Sequence, residues 1–522
     1  MTRDRSPRAG GRQWLGLGLL ALPTALLGLD VTVLYLVVPT MAADLSPSAT
    51  QTLWIMDAYG FLVAGFLIIM GTLGDRVGRR RLLTVGVTAF AAVSILAAFA
   101  PTAELLILAR ALLGVAGATL MPSTLSLISN MFPDVRQRAV AIGVWATMFA
   151  LGMAVGPVVG GVLVDAFWWG AAFLVAVPVA VVVLAAARIV LPEYADPTAG
   201  RMDLASVVLS LSAILPVVYA VKQVAAHGPH LVDLAVAGVG VIAGVAFVRR
   251  QRRLVDPLLD VTLFRAPALA VALTVLLIGL VGVGGSMYLV TQYLQLVVGF
   301  SPLVAGLWLG PPALAMFAAA IGAPLVARRI RPGYVMGATL GLSLVGYALL
   351  ATTGVDDEVR VAVGFAFVYL GLGAIAALGT DMVVGIAPAS RSGSAASMSE
   401  TVQELGIAVG VALLGSLTTT VYRVRTRVPD GVPTETAAAF TESLGSAVAV
   451  ADQVPPGALD SAQHAFTTGL NVASFVAGVV IAGATVLCLV LLRHVPRLGS
   501  DDQTQPAGAD AGSTTLGAGR GG

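Results

Sequence analysis

The chain has 522 residues, 57% of them hydrophobic and only 11% charged, with a formal net charge of +2. A soluble domain would carry about 25% charged residues, so the composition excludes a water-soluble globular fold, and no nucleic-acid partner is expected. Cys488 is the single cysteine, which excludes an internal disulfide, and the four histidines (His227, His230, His464 and His494) show no metal-ligand spacing.

Apolar runs of about 18 residues or more read as helices that cross a bilayer. Fourteen are expected, over 14–38, 52–73, 82–100, 104–127, 139–164, 169–190, 204–223, 230–248, 267–290, 303–326, 334–352, 360–380, 398–421 and 467–492. The predicted class is therefore an all-α polytopic membrane protein. No small-residue cleavage signal follows the first run, which is read as a span and not as a secretion signal.

The first two spans each hold a carboxylate, Asp30 and Asp57. Charge at bilayer depth is costly, and such residues default to functional hypotheses. A carboxyl shielded from water holds its proton more tightly. It can release that proton when a cation approaches, which is the chemistry of proton–cation exchange. For Asp30 the rival reading is a structural pair with Arg110. For Asp57 the choice lies between cation recognition and a structural hydrogen bond.

Between the second and third spans runs Gly71-Thr-Leu-Gly-Asp75-Arg76-Val-Gly78-Arg79-Arg80-Arg81. Gly71 and Gly78 suit a tight turn with close helix approach. Asp75 suits a helix N-terminus, where negative charge is favoured. Arg76, Arg79 and their neighbours would hold the loop at one membrane face. Arg110 falls inside the fourth span and needs an acidic or carbonyl partner, so it fits either a clamp or a proton-linked switch. In the fifth span Gly152, Gly156 and Gly160 form a stripe of small residues that lets helices touch. Pro157 beside it would disturb the helix. The only lysine is Lys222, followed by Gln. No phosphate-binding loop ending in Lys-Ser or Lys-Thr exists, so the chain carries no P-loop ATPase of its own, and an ion gradient or a partner protein must supply the energy. With a proton gradient in that role, no ATP-binding subunit is required and no cofactor is expected.

In the second half the thirteenth span carries Glu400 and Glu404, four residues apart and hence on one helix face. Tyr35, Trp54, Tyr59, Trp145, Met148, Phe149, Tyr288, Gln292, Trp308 and Met316 are candidates to line a pocket, since ring faces attract cations; lipid contact or core packing is the rival reading for each. The long connection 422–466 permits a short amphipathic helix on Phe440, Leu444, Val448 and Ala451, as a cap or a gate. The tail after Arg497 reads as disordered. Of the 30 basic residues, only Lys222, Arg360, Arg423, Arg425 and Arg427 fall on the opposite side from the rest, with Arg110 in a span. The positive-inside rule then places both termini in the cytoplasm, and the tally supports an even number of spans.

The Gly71–Arg81 loop resembles the signature loop of the major facilitator superfamily. Leu29-Asp30-Val-Thr32 to Pro39, Leu53-Trp54-Ile-Met-Asp57-Ala-Tyr59, Arg110 to Pro122 and Gly152 to Gly161 resemble successive motifs of its fourteen-helix drug:proton antiporters of the QacA type. The resemblance runs from about Leu29 to Leu417. Ser399-Glu400 to Gly406 also looks like an acidic stretch of those exporters. Ser399 departs where they have a second adjacent acid, and the tenth span has no acid, so the resemblance does not extend to dicationic cargo.

The resemblance implies a 1–13 tail, a six-helix bundle over 14–190, an inserted two-helix hairpin with linkers over 191–266, a second bundle over 267–492 and a 493–522 tail. It further implies a bacterial inner-membrane antiporter that takes up protons and exports lipophilic cations by alternating access. Asp30, Arg110 and Glu404 would couple protons. Asp57, Glu400 and the aromatic residues would bind cargo, and the Gly71–Arg79 and Gly152–Gly160 motifs would gate. Partners would be small lipophilic cations, protons and membrane lipids. Two rival readings remain on the same fold: an exporter of a neutral or lipidic endogenous molecule, and a transporter-like sensor without flux.

Overall fold

The computed structural model describes residues 9–195, 203–227, 230–254, 257, 266–386, 392–428 and 432–497. Arg3, Arg5, Arg8, Arg201, Arg265, Arg391 and the tail after Arg497 lie outside these residues, as do the side chains of Arg136, Lys222 and His227. The described residues are predominantly helical, joined by turns and short coil, with no strand among them.

The helices are α1 (Gly11–Leu45), α2 (Ala49–Val77), α3 (Arg79–Ala98), α4 (Ala103–Met131), α5 (Val135–Ala166) and α6 (Ala171–Val190). Then come α7 (Leu204–His227), α8 (Leu231–Gln251), α9 (Pro267–Gln292), α10 (Pro302–Ala327), α11 (Pro332–Leu350), α12 (Glu358–Ile386) and α13 (Ser392–Arg425). Two short helices, α14 (Thr434–Glu442) and α15 (Leu444–Ala449), precede α16 (Ala458–Leu491). Twelve of these are long and apolar enough to cross a membrane, and α2, bent between Leu67 and Ile69, makes a thirteenth. The fourteenth expected span corresponds to α7, whose apolar part is the shorter Leu204–Val217.

Two seams of small residues organise the bundles. In the first half α1 packs along α5. A Cβ on Gly152 would come within 2.9 Å of the Ala25 carbonyl carbon, and one on Gly160 within 2.5 Å of Val33 Cγ2. Only glycine lets the backbones come this close. In the second half α9 packs along α13, and a Cβ on Gly285 would meet the Gly410 carbonyl at 2.6 Å. The halves meet where α2 faces α13 and α5 faces α10. There a Cβ on Gly161 would strike Leu303 Cα at 2.7 Å. The inserted hairpin, α7 with α8, lays α7 against both α2 and α13.

Pro157 does not break its helix: α5 runs unbroken from Val135 to Ala166. Proline has no N–H for the carbonyl one turn back, at Met153. Thr32 of α1 donates its hydroxyl to that carbonyl at 3.1 Å. Thus the carbonyl freed by Pro157 is satisfied across the seam.

The long connection forms two short helices, with Phe440 and Leu444 buried. The last helix begins at Ala458, nine residues before the apolar run expected from 467. Its first turns hold Asp460, Gln463 and His464, so hydropathy alone misses them.

Candidate functional site

Four helices from both bundles bring ionisable side chains to one point. α4 lies close on α2 because Gly114 and Gly117 face it. A Cβ on Gly114 would meet the Tyr59 carbonyl oxygen at 2.5 Å, and one on Gly117 would meet the Tyr59 hydroxyl at 3.0 Å. This approach carries Arg110, one turn before Gly114, into the core at 2% exposure. Its Nη1 donates to Asp30 Oδ2 at 3.0 Å and its Nε to the Ile55 carbonyl at 3.2 Å. The guanidinium also lies 4.7 Å from the centre of the Tyr59 ring. Both alternatives for Asp30 therefore start from one geometry, a buried ion pair with Arg110.

Beside this pair is a cavity of about 20 Å³, room for roughly one water molecule. Tyr35, Asp57, Tyr59, Gly60 and Arg110 line it from the first bundle, and Glu404, Ile407 and Ala408 from the second. Glu404 is buried, and its Oε2 would lie 3.6 Å from a Cβ on Gly60 of α2. The carboxylate thus sits directly across the seam between the halves. The sequence singled out Asp30, Asp57, Arg110, Glu404, Tyr35 and Tyr59, and the structure brings all six together. Gly60, Ile407 and Ala408 were not foreseen; the signal available was their helical spacing from Asp57 and Glu404.

Other candidates fall elsewhere. Glu400 is half-buried one turn before Glu404 and is not on the cavity wall. Trp54 packs its ring on Phe61 and on Tyr219 of the inserted hairpin, 6.4 and 6.1 Å between centres. Trp145 donates its indole N–H to Thr124 at 3.0 Å inside the first bundle. Phe149 gives its backbone to the α1–α5 contact, against Gly28. Trp308 stacks on Phe300. Tyr288 and Gln292 line a different chamber.

The arginine-rich loop also departs from expectation. Asp75 is in the last turn of α2, not at a helix N-terminus. The helix dipole disfavours a carboxylate there, and Arg79 offsets this: its Nε donates to Asp75 Oδ1 at 2.9 Å and its Nη2 to the same oxygen at 2.5 Å. The Arg79 Nη1 reaches toward the Pro122 carbonyl on α4, at 3.5 Å. Gly78 has φ +110, a backbone region that glycine favours. Gly71 has ordinary space, 3.8 Å to Pro122; the crowded position is Gly74, where a Cβ would meet Arg79 Nη1 at 2.9 Å. Arg76 is exposed. The segment after α6, not foreseen as part of this site, completes the clasp. The Arg79 N–H donates to the Tyr194 carbonyl at 2.8 Å, the Arg80 side chain to the Leu191 carbonyl at 3.0 Å, and the Arg80 N–H to Glu193 at 3.1 Å.

At the other end of the halves' interface, a Cβ on Gly306 of α10 would press on the Pro157 carbonyl carbon at 2.9 Å, and one on Gly415 of α13 would lie 3.1 Å from Leu53 of α2. Among the described residues no group of three metal-ligating side chains comes together.

Comparison with known proteins bears on what such a site does. The model of the Major Facilitator Superfamily matches residues 20–411. The multidrug efflux pump LfrA of Mycolicibacterium smegmatis is 42% identical over 93% of this chain and 98% of its own. The methyl viologen resistance protein SmvA of Salmonella typhimurium is 34% identical over 90% of this chain and 96% of its own. The tetracenomycin C resistance and export protein of Streptomyces glaucescens is 29% identical over 98% and 97%. Among solved structures, a bacterial homologue of the human lysosomal transporter Spinster, inward-facing and unoccupied, superposes with a TM-score of 0.67 at 16% identity, over 93% of this chain and 98% of that one.

Proposed function

Because the chain belongs to the major facilitator superfamily, with drug exporters among its relatives, we propose that this multi-pass membrane transporter is a proton-coupled antiporter that exports lipophilic cations. The observation that carries the reading is the convergence of Asp30, Arg110, Asp57 and Glu404, from four helices and both bundles, at one buried cavity.

A buried ion pair is held by mutual attraction that offsets a large desolvation cost, and losing one charge strands the other. Protonating Asp30 does just that to Arg110. The stranded guanidinium draws in water or a new acidic partner, and either change loosens the bundle. Asp57 and Glu404 then serve as the negative site for which a proton and a cationic cargo compete. Glu404 bridges the seam, so its charge state alters the contact between α2 and α13 directly. Uptake of one proton charge across a membrane at 100 mV supplies about 2.3 kcal/mol, which the outward passage of a monocation against the same potential consumes, so net export draws on the pH gradient or on a second proton.

The arginine-rich face of the bundle is cytoplasmic in this reading, which places both termini inside a bacterial cell membrane. Quaternary ammonium compounds, cationic dyes and antiseptics are the cargo class.

The test uses energised inverted vesicles loaded with a pH-sensitive dye. Ethidium or a quaternary ammonium salt should dissipate the proton gradient, and Asp57→Asn should abolish the response. Indifference to a broad panel of cations would overturn the reading.

A further inference from the structure

Separated from the acidic cavity by one turn of α2 lies a second chamber, of about 280 Å³. Small-molecule sites run from about 300 to 1,000 Å³, so this chamber is near the size of a compact ligand, whereas the acidic cavity of about 20 Å³ is not. Its floor is the contact of Leu53 and Tyr288 with Gly415, at 3.1 and 3.3 Å from a Cβ built there. Leu53 stands one helical turn before Asp57, so the two spaces are stacked along the same interface. Its roof is the pair of short helices α14 and α15, tied down by the Tyr422 hydroxyl, which donates to the Phe440 carbonyl at 2.8 Å.

The chamber wall is chemically unlike the acidic cavity. Among the described residues no Lys or Arg lines it, and Glu442 in the roof is its one acidic residue. Polar side chains, Thr418, Thr419 and Gln292 among them, interrupt a mostly apolar surface. Thr419 returns its hydroxyl to the Gly415 carbonyl of its own helix, at 3.0 Å. Among the described residues, Thr418 Oγ1, buried on the same helix, has no hydrogen-bond partner. Gln292, also buried, brings an amide that both donates and accepts. Tyr288 adds an aromatic surface of the kind that attracts a cation.

We propose that this chamber is a second cargo site, on the exit side of the acids, for lipophilic molecules bearing at most one positive charge. The inference rests on the export reading above. Cargo that has left Asp57 and Glu404 is held here, with Leu53, Tyr288 and Gly415 shut beneath it. The central acids, vacated by the cargo, then take protons that enter from the exit side once the cargo has left the chamber.

Cys488 is buried in α16, and Cys488→Ala gives a background for single-cysteine labelling of the full-length protein in proteoliposomes. Thr418→Cys reports the chamber and Ala408→Cys the acidic cavity. The probe is ethidium, and the readout is the rate of maleimide labelling. Several-fold protection at both positions supports two sites. Protection at Ala408→Cys alone overturns the second site and leaves the export reading standing. Protection at Thr418→Cys alone supports the chamber but overturns the central role of the acids. Protection at neither overturns both. Anilinonaphthalene sulfonate, an anion of comparable size, should give no protection at Thr418→Cys; equal protection by it would overturn the charge argument. Gln292→Cys repeats the measurement if Thr418→Cys fails to accumulate.

Discussion

The two six-helix halves share a plan of packing but not of charge. Each has a glycine-lined seam, α1 with α5 and α9 with α13. Each also fastens the turn after its second helix to the end of its last helix by an arginine: Arg80 donates to the Leu191 carbonyl and Arg331 to the Arg493 carbonyl, both at 3.0 Å. Yet the first half alone adds acids to that fastening, with Asp75 on Arg79 and Glu193 on Arg80. It also holds the buried Asp30–Arg110 pair, while the second half offers the cavity Glu404 as its one charged side chain. Backbone packing therefore gives both halves their shape, and most of the ionisable machinery lies in the first, with Glu404 supplied by the second.

The sharpest test of that asymmetry is Arg110→Ala. It strands Asp30 in the core, a loss of about 3–5 kcal/mol for a broken buried pair. Dye export in proteoliposomes should fall to background and thermal stability in detergent should drop clearly. Arg331→Ala in the second half should leave export within about twofold, because its partner is a carbonyl at an exposed position. Equal loss in both variants would break the comparison.

A smaller difference is expected within the seams. Thr32→Val leaves the Met153 carbonyl without its cross-helix donor, a cost of about 1–3 kcal/mol. Ser286→Ala in the mirror seam removes a hydroxyl that donates to the Gly282 carbonyl of its own helix, leaves no proline-freed carbonyl behind, and should lower the melting temperature less.

Glu193→Gln should follow. Its ion pairs with Arg80 and Arg81 are partly exposed, and such pairs are worth about 0–1 kcal/mol. Melting should barely move, while transport slows if the clasp after α6 orders the gating loop. Unchanged turnover would show the clasp to be a surface ornament of the first half.

The least effect belongs to the inserted hairpin, which has no counterpart in either half. Hydrogen bonding from Arg250, then from Ser206, holds the Asp203 carboxyl well below the usual carboxylate range. A depressed value means that its contribution is complete above the unfolded pKa of about 3.9 and is lost as pH falls through the lower folded value. The small melting difference between the protein and Asp203→Asn should therefore stay constant from about pH 8 to about pH 5 and vanish only in strong acid. A difference that closes near neutral pH would contradict the geometry.

Much of the site was legible because its residues violate a local rule. Asp30, Asp57, Arg110 and Glu404 stand out as charges in apolar runs, and their placement in the core follows. Trp54 and Trp145 violate nothing, since tryptophan is at home in core, lipid contact or pocket. Only contacts with Tyr219 and Thr124 reveal their surroundings. Tyr288 and Gln292 were grouped with the acids by chemistry alone, and the fold sets them on the far side of Leu53. Glu193 and Tyr194 read as ordinary linker, because their partners lie more than a hundred residues back along the chain.

Sequence alone determined the membrane-spanning helices and the segregation of arginines to one face. Both follow from the partition of each segment between water and hydrocarbon, a property of neighbouring residues that needs no fold. Tertiary structure decided which charges meet, which carbonyl Thr32 satisfies, and where cargo-sized space remains. Those outcomes depend on how closely and at what rotation distant helices approach, and that is set by glycine contacts whose partners are invisible along the chain.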